Sequence, residues 1–172
     1  MRTIQGFQRI FQKISYMIQR KQTLFLLAAV IAYVVCLFLP VGGIIPEGMC
    51  TDTSVHCLGT VSDETGIHFD ATCIPLFLLC AVSAILSLVT IFMYKNRKLQ
   101  MNLCGITLLF SVLWYVDYLV MYFGLVGLEN VEGKLQPEFG ACLPLIGIIF
   151  VAMARKGVSD DEKLVRAADR IR

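Results

Sequence analysis

Cysteine, histidine and acidic side chains cluster in one stretch of this sequence, and that stretch is where chemistry would be sought first. Cys50 and Cys57 enclose six residues, His56 lies between them, and His68 follows with Glu47, Asp52, Asp63, Glu64 and Asp70 around it. Thiol–disulfide exchange calls for a C-x-x-C pair, which this spacing does not supply, so a structural disulfide between Cys50 and Cys57 is expected instead. A metal site would need C-x2-C or H-x3-H spacing, and neither occurs. The stretch is therefore expected to be a solvated acidic loop with no metal. Cys73 stands where the chain turns apolar again, and Cys36, Cys80, Cys104 and Cys142 lie within or at the ends of apolar runs, where cysteine acts as a small packing residue. No phosphate-binding loop, dinucleotide fingerprint, nucleophile elbow or H-E-x-x-H motif occurs, so no catalytic residue, cofactor, small-molecule substrate or nucleic-acid partner is assigned.

Asp117 is the second chemical candidate, since it is the one charged residue inside an apolar run, in VLWYVDYLVMYFG. An acid at such a position marks a proton or ion pathway in many membrane proteins. No Lys, Arg or His shares its depth. A protonated carboxyl bonded to a hydroxyl such as that of Tyr33, Ser83 or Ser87 is expected, which favours a structural role over proton handling.

The elements that hold these groups follow from hydropathy. Apolar residues make up 57% of the 172, charged ones 16%, and mean hydropathy is +0.72, too little polar surface for a soluble globule. Apolar runs at about 24–45, 71–94, 103–128 and 139–154 predict four transmembrane helices. Charge sets their direction. Arg2, Arg9, Lys13, Arg20 and Lys21 precede the first run, Lys95, Arg97 and Lys98 lie between the second and third, and six more cations follow the fourth, leaving only Lys134 on the far side. The positive-inside pattern places both termini in the cytoplasm and residues 46–70 outside, in a bacterial inner membrane. The expected fold class is an all-α, four-helix antiparallel transmembrane bundle.

Three units are expected: a basic, amphipathic segment over 1–22, the membrane domain over 23–154, and a cytoplasmic helix over 155–172. The run Pro40, Gly42, Gly43, Pro46 should kink or unwind the end of the first span. Small residues at Ala28, Ala32 and Cys36, and at Ser83, Ser87 and Thr90, should face helix contacts in the core. In the tail, Ser159 and Glu162 fit a capping box that predicts a helix start, with Leu164, Val165, Ala168 and Ile171 as one apolar stripe. About a dozen residues make a marginal helix in water, so that stripe is a candidate partner face, with the bilayer surface as the alternative.

Two motifs carry a family resemblance: MIQRKQTLFLLAAVIA (Met17 to Ala32) and DDEKLVRAADRIR (Asp160 to Arg172). They resemble the ends of the short four-span inner-membrane proteins of Gram-negative bacteria catalogued as domain of unknown function 4293. The resemblance covers Met17 to Arg172 in layout, implies the four-span topology and carries over no catalytic residue. The expected function is a non-enzymatic membrane subunit or scaffold whose cytoplasmic ends engage a protein partner. A small transport or proton-handling protein centred on Asp117 is the alternative, and a periplasmic-facing thiol oxidoreductase the second.

Overall fold

The computed structural model describes residues 21–45, 53–62, 66–93, 96–123 and 134–171, and beyond residue 163 the side chains of 164–166 and 168–171 fall outside that description. Four helices dominate: α1 (Lys21–Phe38), α2 (Ile74–Phe92), α3 (Arg97–Tyr122) and α4 (Leu143–Ile171). Short 3₁₀ turns, Ala71–Cys73 and Phe139–Cys142, lead into α2 and α4. Pro75 stands in the first turn of α2, where a missing N–H costs no helical bond.

The expectation of an all-α fold is corrected by five strands: β1 (Gly42–Ile45), β2 (Thr53–His56), β3 (Gly59–Ser62), β4 (Gly66–Phe69) and β5 (Lys134–Pro137). They form one antiparallel sheet in the order β4-β3-β2-β1-β5. Four of the strands come from the segment between α1 and α2 and one from the segment between α3 and α4, with Gly43 opposite Gln136 and Ile44 opposite Leu135. Both segments thus sit at one end of the bundle, and α1 and α3 run toward the sheet while α2 and α4 run away from it. Thr53, Val55, Thr60 and Val61 are the β-favouring residues that let the acidic stretch pair rather than stay solvated.

Span one is also shorter than expected, because helix ends at Phe38 and residues 42–45 are strand. Pro40 cannot donate to the helical ladder, and β1 recovers the backbone bonds by pairing on two sides. The expectation of a separate tail helix is likewise corrected, since α4 runs unbroken through Ser159 to Ile171. Its buried stripe, Val151, Ala154 and Val158, leads up to the capping-box position and Asp161 just beyond it is bonded to Gln22, so packing outweighs a local capping preference of about 1 kcal/mol.

In the bundle α1 and α3 each pack on both α2 and α4. Gly147 permits the close approach of α4 to α1: a Cβ there would lie 2.6 Å from the Tyr33 ring. Gly140 does the same at the sheet end, where a Cβ would collide with the Pro40 carbonyl. Polarity is inverted relative to a soluble bundle. Ser83, Ser87, Thr90, Thr107 and Ser111 are buried, while Leu24, Ile31, Leu78, Ile85, Leu109, Val116, Leu145 and Ile149 point outward. Most of those inner hydroxyls bond the carbonyl four residues back, as Ser83 does to Leu79 at 2.8 Å and Thr107 to Leu103 at 2.9 Å. Such an exterior suits lipid. Three helical stretches, Ala71–Phe92, Arg97–Tyr122 and Phe139–Lys163, are long and apolar enough to cross a membrane, and Gln22–Phe38 is a shorter apolar helix.

Candidate functional site

The sheet end of the bundle gathers the thiols. Aromatic residues of α3 build its floor: Trp114 stacks on Tyr118 at 5.4 Å, the Tyr118 hydroxyl donates to the Val41 carbonyl at 3.0 Å, and the Tyr115 hydroxyl donates to the Ala141 carbonyl at 2.7 Å. These bonds fix the junctions that precede β1 and α4. The β2–β3 turn then folds inward and buries Cys57, whose thiol donates to the Cys36 carbonyl at 3.5 Å. Cys36 meets the side chains of both Cys57 and Cys80, and Cys80 donates to the Tyr33 carbonyl at 3.4 Å. Cys73, on the turn leading into α2, is buried beside them.

Sequence reasoning placed Cys36 and Cys80 in the packing and Cys57 in a solvated loop, and the structure joins all three. The signal available for Cys36 was its place on a small-residue stripe; nothing local tied Cys57 to it. Bonding to the Cys36 thiol holds the Cys57 thiol below its ordinary pKa, against the upward push of burial. Cys50, the expected disulfide partner of Cys57, lies outside the described residues.

The two histidines are set apart by the sheet. His56 ends β2, with Ser54 Oγ 3.5 Å from its Nε2, and His68 lies exposed on the edge strand β4 opposite Thr60. Among the described residues no three His, Cys, Asp or Glu side chains form a metal-holding group.

Asp117 occupies α3 between Trp114 and Tyr118, and its Oδ2 is buried with no hydrogen-bond partner among the described residues. None of the expected hydroxyl partners bonds it: Tyr33 and Ser111 share a bond of 2.7 Å, Ser83 bonds within its own helix, and Ser87 Oγ is itself unpartnered among the described residues. Helix periodicity explains the miss, since it identifies inward faces but not the relative depth of residues on different helices.

At the opposite end, where Arg97, Lys98, Arg155, Lys156 and Lys163 collect, α4 is clasped to two other helices. Gln22 Nε2 donates to Asp161 Oδ2 at 2.6 Å, and Arg97 Nη1 donates to the Asp161 carbonyl at 3.1 Å. Gln22 is buried against Gly157, where a Cβ would come 2.9 Å from its Cγ. From sequence Asp161 is expected only as one acid in the first turn of a tail helix, and Gln22 carries no signal, because each is an ordinary polar residue near a helix end. The side chains of the expected partner face, Leu164, Val165, Ala168 and Ile171, lie outside the described residues, although the backbone they stand on is helical. Residues 1–20 of the expected N-terminal amphipathic segment also lie outside them, while Lys21 and Gln22 belong to α1.

The end motifs and the apolar helices between them are accounted for by a family whose model spans nearly the whole chain. Among curated proteins none matches it. The family model covers residues 18–171, and the chain belongs to the family described as domain of unknown function 4293.

Proposed function

We propose that this chain is a non-enzymatic membrane protein that crosses the bilayer four times, keeps both termini in the cytoplasm and serves as a subunit or scaffold for a protein partner. The observation that carries this reading is the continuity of α4. Its 29 residues extend about 43 Å at 1.5 Å per residue, more than about 30 Å of hydrocarbon, so one rigid rod leads from the bundle into the tail. The clasp at Asp161 holds that rod against α1 and α3 just before the stripe Leu164, Val165, Ala168 and Ile171. A helix held in this way presents its face without the ordering cost that a free tail of a dozen residues would carry. Burial of Cys57, Cys36 and Cys80 weighs against thiol exchange with an outside substrate, which requires access to a sulfur.

Affinity purification of the full chain in mild detergent, followed by mass spectrometry, tests the proposal. A stoichiometric partner that is lost from the Leu164→Glu/Ile171→Glu variant, with unchanged protein in the membrane, is the expected result. Unchanged co-purification would assign the tail to the bilayer surface. Alkaline phosphatase fused after Arg172 should be inactive and fused after Glu64 active; the reverse would overturn the topology.

A further inference from the structure

Between α3 and α4, at the basic end, lies an open groove of about 440 Å³. Its lining is apolar at Met101, Leu108 and Ala152, and it carries Arg155, Lys156 and Lys163 with Ser159. Asp160 is the one acid in the lining, and Lys163 engages it at 3.2 Å. Neither Arg155 nor Lys156 meets a carboxylate among the described residues. Among the described residues Arg155 and Lys156 thus line the groove without a carboxylate partner. The residues on α4 recur at 152, 155, 156, 159, 160 and 163, a single helix face, and Gly105 of α3 leaves room beside it: a Cβ there would lie 3.8 Å from the Arg155 guanidinium carbon.

We propose that this groove binds one anionic phospholipid, with its phosphate headgroup at Arg155, Lys156 and Ser159 and an acyl chain laid along Met101, Leu108 and Ala152. The groove joins an apolar part to a cationic part, as the lipid joins acyl chain to headgroup. Arg155 offers a planar fork to phosphate oxygens, Lys156 a point charge, and the Ser159 hydroxyl a further donor. A soluble anion would use the cationic part and leave the apolar part empty. Basic pockets between helices at the cytoplasmic face are suited to acidic headgroups for the same electrostatic reason. The inference rests on the chain crossing a membrane and not on its having a protein partner.

The test uses the full-length protein, delipidated in neutral detergent, with dioleoyl-phosphatidylglycerol or dioleoyl-phosphatidylcholine added at equal mole fraction and the melting midpoint followed. Phosphatidylglycerol should raise the midpoint saturably and phosphatidylcholine should not. Arg155→Gln/Lys156→Gln should weaken half-saturation about thirtyfold, the product of two interfacial cations. Lys98→Gln, a cation of the same end outside the groove, should leave it unchanged. Ser159→Glu, which adds a like charge on the helix surface, gives a second variant should the double one melt too low to read. An equal response to phosphatidylcholine, loss of response in Lys98→Gln, or an unaltered response in both groove variants would overturn the site. The same midpoint rise with glycerol phosphate alone would overturn the lipid assignment in favour of a free anion. Because the readout is a midpoint in detergent, its outcome is independent of the phosphatase fusions and of the partner search.

Discussion

Gln22 and Asp161 are 139 positions apart in the chain and 2.6 Å apart in the fold, the amide donating to the carboxylate. The first helix and the tail are therefore tied at one point, at the end of the bundle where the basic residues gather. Asp161→Ala should lose about 2 kcal/mol, as expected for a part-buried bond to a charged acceptor. The adjacent Asp160→Ala removes only the exposed pair with Lys163 and should lose no more than about 0.5 kcal/mol. Thermal unfolding of both variants in one detergent checks the difference, and equal midpoints would remove the clasp from the account of the tail.

Gly147→Ala should destabilise by about 1–3 kcal/mol, because its Cβ would fall 2.6 Å from the Tyr33 ring carbon that carries the hydroxyl bonded to Ser111. Gly105→Ala meets only ordinary contact at 3.8 Å and should be neutral or gain up to about 1 kcal/mol from helix propensity. Opposite shifts of the two midpoints are the signature to look for. A silent Gly147→Ala would mean that α1 and α4 do not approach as described.

For Asp117, whose buried Oδ2 has no partner among the described residues, Asp117→Asn should accumulate at the wild-type level. Asp117→Leu should melt higher by about 1 kcal/mol, since it removes a polar atom left unsatisfied in an apolar setting. Membrane protein level and melting midpoint are the measurements. A destabilised Asp117→Leu would point to a bound partner for the carboxyl and bring the proton-handling alternative forward.

Accessibility distinguishes the cysteines. In single-cysteine variants Cys142, which is exposed, should react with a maleimide, whereas Cys36, Cys57, Cys73, Cys80 and Cys104 should react only after unfolding in dodecyl sulfate. Native labelling of Cys57 at the rate of Cys142 would return it to the solvent and restore the access that thiol exchange needs.

The apolar helices and the inward hydroxyls were legible in the sequence, because hydropathy and a period of 3.6 are local properties. Ser83, Ser87 and Thr90 were placed on an inner face, and that is where they are buried. The β-favouring Thr53, Val55, Thr60 and Val61 were also present, but the surrounding acids made a solvated loop the simpler expectation. Only the tertiary structure decided that β1 pairs with β5 across two separate segments, since a strand of four residues carries no record of a partner about ninety positions away. It also decided the convergence of Cys57 on Cys36 and Cys80, and the passage of α4 through Ser159. A capping box states what a helix end prefers in isolation, whereas the buried stripe Val151, Ala154, Val158 and the bond from Gln22 to Asp161 act through neighbours, and in a packed bundle the neighbours prevail.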